Sequence, residues 1–211
     1  MKKIVYMGIL AGMLLLLFGS CSKDNFIKTG LSNGKFDGNM LEYMRAPGHS
    51  YDWDSTVLLI EQAGLVDLFE GKTYEEITFF GPTNHSIRRW MIRKAYTRIQ
   101  DLDPTLCREI LLRHVIIGKY MREEIPLGKG SVDVSNNPIG EGGAVFTTLG
   151  GNRIWAYTFR DAWNKVPETG ALTLFMTSVD KKKKINIAST DIEPNNGVVH
   201  SLHYDFTLEE M

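Results

Sequence analysis

Residues 191–202 read DIEPNNGVVHSL, a charged turn with a proline that leads through Asn-Asn-Gly into an apolar strand. Asparagine and glycine tolerate positive φ, so Asn196-Gly197 predicts a tight reversal before the strand. Side chains alternate between the two faces of a strand. One face is predicted to carry Val198, His200, Leu202, Tyr204 and Phe206. Because His200 falls on this apolar face, we predict a hydrogen-bonded core histidine and not an acid/base pair with Asp191.

The sequence before this strand divides into a helical part and a strand-rich part. Helices are predicted over 36–45, after the N-cap Asp54, over 85–100, and from Asp103-Pro104 onward. After Ile125, five β-type runs follow, separated by turns rich in glycine, asparagine or lysine. Helices first and antiparallel strands afterwards indicate an α+β fold.

Composition excludes several classes of protein. The 211 residues include 24 basic and 25 acidic side chains, which leave a net charge of −1 and no general attraction to nucleic acid. The chain has only two cysteines. Cys107 lies among apolar residues, so we predict a buried, inert thiol. The spacing of the five histidines suits no metal ion, and the glycine-rich stretch after residue 139 lacks the lysine and helix of a phosphate-binding loop.

The N-terminus has the layout of an export signal. Lys2 and Lys3 precede an apolar run from Ile4 to Phe18, too short for a membrane-spanning helix, and Gly19-Ser20-Cys21 follow. This ending resembles the lipobox of bacterial lipoproteins, and 22–24 resemble the export signal of surface lipoproteins in Bacteroides-like bacteria. We predict a signal peptide over 1–20, acylated Cys21 and a flexible tether over 21–35. The alternative is an ordinary signal peptide with a coincidental cysteine.

Three segments in order resemble the fasciclin (FAS1) domain family. ITFFGPTNHSI (77–87) resembles its first box, LLRHVIIGKY (111–120) its central box, and DIEPNNGVVHSL (191–202) its closing box. STVLLIEQAGLVDLF (55–69) matches the helix before the first box, and the resemblance covers residues 36–208. Arg113 departs from the family, which usually has a tyrosine before the central His114.

The resemblance implies a wedge-shaped β-sandwich of about seven strands with several helices packed around it. It implies adhesion or binding outside the cell without catalysis. We therefore expect no catalytic residue, and we also expect no metal or cofactor. Asp191-Ile192 matches a dipeptide implicated in receptor contact in animal relatives. The alternative is a turn whose carboxylate binds nearby backbone N–H groups.

Two basic features are candidates for binding anions. Arg88, Arg89 and Arg93 cluster with Lys94 and Arg98 at helical spacing, and Lys181–Lys184 form a turn between strands. Either an acidic polysaccharide or lipid headgroups would suit such a patch. The alternative for both features is ordinary solvated surface.

The sequence therefore predicts a lipid-anchored protein of the outer membrane or cell surface that binds another macromolecule, an extracellular protein or glycan, in an adhesion or scaffold role. The alternative is a glycan-capture subunit of a polysaccharide-uptake complex. Trp155, Tyr157 and Trp163 exposed in a groove would favour glycan. A flat apolar patch with a polar rim would favour protein.

The anchor is tested by Cys21→Ala. We expect the variant to stay uncleaved or to leave the membrane fraction, because acyl chains on the cysteine supply the membrane affinity. Cell fractionation followed by immunoblotting measures both outcomes. Mature-sized variant protein that still sediments with membranes would rule out acylation of Cys21.

Overall fold

Two four-stranded sheets and five α-helices form residues 34–211, the part of the chain that the computed structural model describes. The predicted signal peptide, Cys21 and the tether up to residue 33 lie outside the described residues. The α-helices are α1 (Met40–Arg45), α2 (Ser50–Gln62), α3 (Val66–Phe69), α4 (Asn84–Arg93) and α5 (Pro104–Leu112). Short 3-10 helices span Ile99–Asp101, Arg122–Glu124 and Leu208–Glu210.

The strands follow the predicted order and confirm the α+β class. The first five are β1 (Ile77–Gly81), β2 (Val115–Ile117), β3 (Gly128–Lys129), β4 (Glu141–Gly142) and β5 (Ala144–Thr147). The others are β6 (Arg153–Arg160), β7 (Leu172–Ser178), β8 (Lys183–Ile185), β9 (Ile187–Ile192) and β10 (Gly197–Leu202). Sheet A has the order β2-β1-β10-β9, and sheet B has the order β5-β6-β7-β8; β3 and β4 pair with each other.

Helix ends follow local chemistry. Asp103 caps α5 by accepting the Thr105 N–H at 2.8 Å, with Pro104 in the first turn, as predicted. The helix predicted over 85–100 is shorter than expected, because the chain leaves α4 after Arg93 and Ala95 adopts a φ of 57°. The prediction that α2 starts after Asp54 is wrong, since α2 begins at Ser50.

The strands after Ile125 pair antiparallel with one another as predicted, but sheet A adds a parallel pair that the sequence did not predict. β1 runs parallel to β10, in a register from Ile77 opposite Gly197 to Gly81 opposite Ser201. β2 and β9 flank this pair in antiparallel orientation. Every residue of β10 is buried, so both faces are covered, and the predicted alternation between a buried and an exposed face is wrong. The strand ends at Leu202, which leaves Tyr204 outside it and exposed.

Position 197 requires a glycine because the backbone of β1 passes very close to it. Its φ is +141°, and a Cβ at this position would lie 1.9 Å from the Ile77 carbonyl oxygen. The preceding Asn196 is buried and makes two side-chain hydrogen bonds to helices. Its Oδ1 accepts the Met40 N–H at 2.7 Å, and its Nδ2 donates to the Phe69 carbonyl at 3.0 Å. The Asn-Gly pair therefore fixes α1 and α3 to the start of β10.

Both sheets contribute to one hydrophobic core. The residues that sheet B buries there are Ile154, Ala156, Leu174, Met176 and Ile185. They join Phe79 and Val199 of sheet A and Phe69 of α3. The Gly150-Gly151-Asn152 turn connects β5 to β6 as predicted, with Gly151 at a φ of +82°.

Gly197→Ala is expected to lower the free energy of unfolding by about 3 kcal/mol or more, because backbone strain adds to a clash with Ile77. Gly151→Ala is the matched control, since its φ is also positive but no atom lies within 4 Å of its added Cβ. We expect the control to lose only about 1 kcal/mol in denaturant melts. Equal losses for the two variants would show that β1 does not constrain position 197.

Candidate functional site

Asp191 lies at the end of β9 with its carboxylate turned toward a neighbouring loop. Its φ is +61°, and its Oδ1 accepts the Arg122 N–H at 2.7 Å. Its Oδ2 lies 3.4 Å from Arg122 Nε. Ile192 is half-buried against the core and pairs with Val199. This geometry matches the structural interpretation of the dipeptide, and a contact of Asp191-Ile192 with a partner stays a prediction.

His200 is the buried, hydrogen-bonded histidine that the sequence predicts. Its Nε2 lies 2.9 Å from the Tyr120 carbonyl oxygen, and its Nδ1 accepts the Asp191 N–H at 3.3 Å. Because Nδ1 accepts, we assign the ring proton to Nε2. Burial lowers the pKa of His200 and keeps the ring neutral. Both ring nitrogens are occupied in holding β10 to β9 and to the loop at Tyr120.

The central box has a second buried histidine. His114 Nδ1 lies 2.8 Å from the Ile110 carbonyl oxygen, and its ring meets Phe206 edge-on at 5.6 Å. Burial lowers the pKa of His114 to about 4. The neighbouring Arg113 packs its aliphatic stem on Gly150, where a Cβ would lie 2.8 Å from Arg113 Cγ.

The outer face of α4 carries basic and apolar side chains together. His85, Arg88, Arg89 and Ile92 form one stripe at helical spacing. His85 contacts Tyr51 of α2, with 3.3 Å between ring nitrogen and hydroxyl. Tyr51 is 72% exposed, Ile92 68% and Tyr204 60%. We call the surface formed by Tyr51, His85, Arg88, Ile92 and Tyr204 the α4 face.

The C-terminal segment completes the α4 face. Arg89 Nη1 donates to the Asp205 carbonyl at 2.7 Å, which places Tyr204 beside the helix. Arg93 Nη1 lies 3.4 Å from Thr207 Oγ1. Two of the three predicted binding arginines therefore hold the chain's own C-terminal segment. Arg88 is exposed and has no hydrogen-bond or ion-pair partner within residues 34–211, so it is the predicted arginine that is open to a ligand.

The aromatic residues predicted as a glycan platform are mostly buried. Trp155 stacks on Tyr157 with ring centroids 4.4 Å apart, and both lie under a glycine-rich segment. A Cβ at Gly140 would lie 2.8 Å from the Trp155 ring, and one at Gly130 would lie 2.5 Å from the Tyr157 hydroxyl. The glycines after residue 127 thus let the backbone lie flat on two large rings. Only Trp163, at 72%, is exposed.

Other chemistry-bearing groups are accounted for by packing. Cys107 is fully buried as predicted, and burial raises the pKa of its thiol to about 11. Across residues 34–211, no three His, Cys, Asp or Glu side chains converge on a point where a metal ion could sit. In the same stretch, no helix has the length and apolar character needed to cross a membrane.

Comparison with known proteins identifies the family. The fasciclin domain model matches residues 52–204. The chain belongs to the fasciclin domain family. A solved FAS1 domain pair from the insect cell adhesion molecule fasciclin I has the same fold, with 14% sequence identity and a TM-score of 0.51. The match covers 76% of this chain and 47% of the insect chain, so this chain spans about half of that protein's length. A search of curated proteins found no match.

Fasciclin domains are in general adhesion and binding domains of the extracellular space or cell surface. In this fasciclin domain, sequence reasoning located Arg88 but missed Tyr51, Ile92 and Tyr204. The helical stripe from His85 to Ile92 was readable in the sequence. The approach of Tyr51 and Tyr204 was not, because each comes from a segment distant in the chain.

Acid is expected to destabilise this fasciclin domain through its buried histidines. An unfolded histidine binds a proton below about pH 6.5, whereas His114 stays neutral down to about pH 4. The unfolded state therefore binds more protons, and stability present above pH 6.5 is lost as the pH falls toward 4. His114 accounts for about 3 kcal/mol at most, and His200 acts in the same direction.

Thermal melting between pH 7.5 and about pH 4.5 measures this loss. His114→Gln should flatten the pH dependence, whereas the control His85→Gln, at an exposed position, should not. A slope unchanged by His114→Gln would contradict the assignment of the proton uptake to His114.

Proposed function

We propose that this fasciclin domain is a lipid-anchored binding module of the cell surface that holds another protein through its α4 face. The observation that carries the proposal is the exposure of Tyr51, Ile92 and Tyr204 around the unpaired Arg88. These four side chains come from three separate segments of the chain, and the fold brings them to one surface.

The composition of the α4 face favours a protein partner. Tyrosine and arginine are enriched among the residues that dominate binding energy at protein interfaces. An exposed isoleucine between them supplies apolar area that the domain itself leaves uncovered. Tyr204 is braced by the His203 ring at 4.1 Å, and Tyr51 by His85 at 5.6 Å between centroids. Braced side chains lose less conformational entropy on binding, which favours affinity.

The glycan-capture alternative draws less support from the three aromatic residues predicted for it. Trp155 and Tyr157 lie beneath the glycine-rich segment, and Trp163 stands alone on the β6–β7 connection. A sugar-binding platform needs neighbouring rings at the surface, whereas these two neighbouring rings are inside. The α4 face, with exposed apolar and basic side chains, suits the adhesion or scaffold role better.

The proposed role needs the anchor and no catalysis. Acylated Cys21 would hold the domain at the membrane, and the residues after it would let the α4 face reach a partner. The buried histidines serve packing: His200 and His114 each have at least one ring nitrogen bonded to a main-chain carbonyl. We therefore propose a binding role without an enzymatic step.

Site-specific photocrosslinking in living cells tests the α4 face. A photoreactive residue replacing Ile92 should give a discrete protein adduct, which Arg88→Glu or Tyr204→Ala should reduce about tenfold. Val132 is the matched control position, because it is fully exposed but lies on the glycine-rich segment. Equal adducts at positions 92 and 132, or an adduct indifferent to both substitutions, would refute the α4 face as the binding surface.

A further inference from the structure

The outer face of sheet B carries a second candidate surface, separate from the α4 face. Side chains alternate along β6, so Trp155, Tyr157 and Phe159 point to the same side. Phe175 on β7 pairs with Tyr157 and therefore lies on this side as well. Trp155 and Tyr157 are covered, but Phe175 is half-buried and Phe159 is 39% exposed. The aromatic row thus emerges from under the glycine-rich segment at its Phe175–Phe159 end.

The lysine turn lies at the Trp155 end of the aromatic row, and Lys184 reaches from there to Phe175. Lys184 on β8 pairs with Thr177, which lies on the outer face two residues from Phe175. Its ammonium lies 5.1 Å from the centroid of the Phe175 ring, a cation–π contact. Lys182 and Lys183 are exposed and form no hydrogen bond or salt bridge among the described residues. An exposed lysine therefore lies against the half-buried Phe175 ring, and Phe159 lies farther along the same face of sheet B.

The carboxylates near the lysine turn already have cationic or hydrogen-bonding partners. Lys94, which follows α4, donates to Glu209 at 2.5 Å. This hydrogen bond lowers the pKa of the Glu209 carboxyl, and the charges of Arg93 and Lys181 lower it further. Asp180 forms a salt bridge with Arg153 at 2.8 Å. Hydrogen bonds from Asn136 lower the pKa of Asp133, and the charge of Lys182 has a smaller effect in the same direction. The nearby carboxylates are thus already engaged, and the lysines remain in excess.

The geometry points to an acidic polysaccharide as the ligand of this surface, bound by Lys184 and the neighbouring lysines with its sugar rings on Phe175 and Phe159. We call it the lysine–phenylalanine surface. A polymer can lie across exposed side chains of a sheet face, whereas a small molecule is usually bound in an enclosed cavity. A uronate or sulfated sugar offers both groups that the surface can recognise, an anion for the ammonium groups and an apolar ring face for the phenylalanines. This surface is independent of the proposed protein-binding role.

Binding of polygalacturonate to the purified full chain tests the proposal. We expect salt-dependent binding, with neutral dextran as a control polymer that does not bind. Lys184→Glu should weaken binding about fivefold or more, and Arg108→Glu, the same charge change at an exposed residue of α5, should leave it within about twofold. Phe159→Ala should also weaken binding about fivefold at unchanged charge.

Each other outcome overturns the proposal. Equal weakening by Lys184→Glu and Arg108→Glu would show a general charge effect. Full binding by Phe159→Ala would show that no sugar stacks on the rings. Binding to vesicles of phosphatidylglycerol and phosphatidylcholine, but not to polygalacturonate, would identify a lipid surface instead. Failure here leaves the crosslinking test of the α4 face untouched, since the two experiments probe different residues.

Discussion

The parallel pairing of β1 with β10 is the constraint on which the rest of this fasciclin domain depends. The two strands are joined by more than a hundred residues of chain, so their pairing closes the domain from one end to the other. The pairing requires a residue without a side chain at position 197, where the Ile77 carbonyl comes closest. Asn196 uses the same junction to bind α1 and α3, so one dipeptide positions a strand and two helices.

The same junction positions the proposed binding surface. Once β10 is in register, the chain leaves Leu202 and passes along α4, where Arg89 and Arg93 hold residues 205–207. Tyr204 is thereby set beside the helix that the Pro-Thr-Asn segment opens. Asn84, from that segment, also binds the carbonyls of Ser50 and Tyr51, which brings Tyr51 to the same surface. The boxes that define the family are thus structural, and the surface residues around them are free to differ in function.

Local chemistry made much of this predictable. Asp103-Pro104 favours a helix start, as found for α5. An apolar strand that contains a histidine predicts a buried, hydrogen-bonded ring, as found at His200. The direction of β10 was not predictable, because strand patterns are the same for parallel and antiparallel partners. The burial of Trp155 was missed for a related reason. The Trp155 ring is covered by a glycine-rich segment that has no hydrophobic pattern in the sequence. The backbone of that segment can contact the ring because its glycines have no side chains.

Native-state hydrogen exchange tests the central role of the β1–β10 junction most directly. At the junction, the Met40 N–H donates to Asn196 Oδ1 and the Ile77 N–H donates to the Asn196 carbonyl. The Phe80 N–H in β1 donates to the His114 carbonyl, and the Thr158 N–H in sheet B donates to the Pro126 carbonyl. We expect all four to exchange only through global unfolding, with one common free energy that Asn196→Ala lowers equally at every site. The account is contradicted if Met40 and Ile77 exchange by local opening at a much lower free energy than Thr158, since the junction would then open while sheet B stays folded.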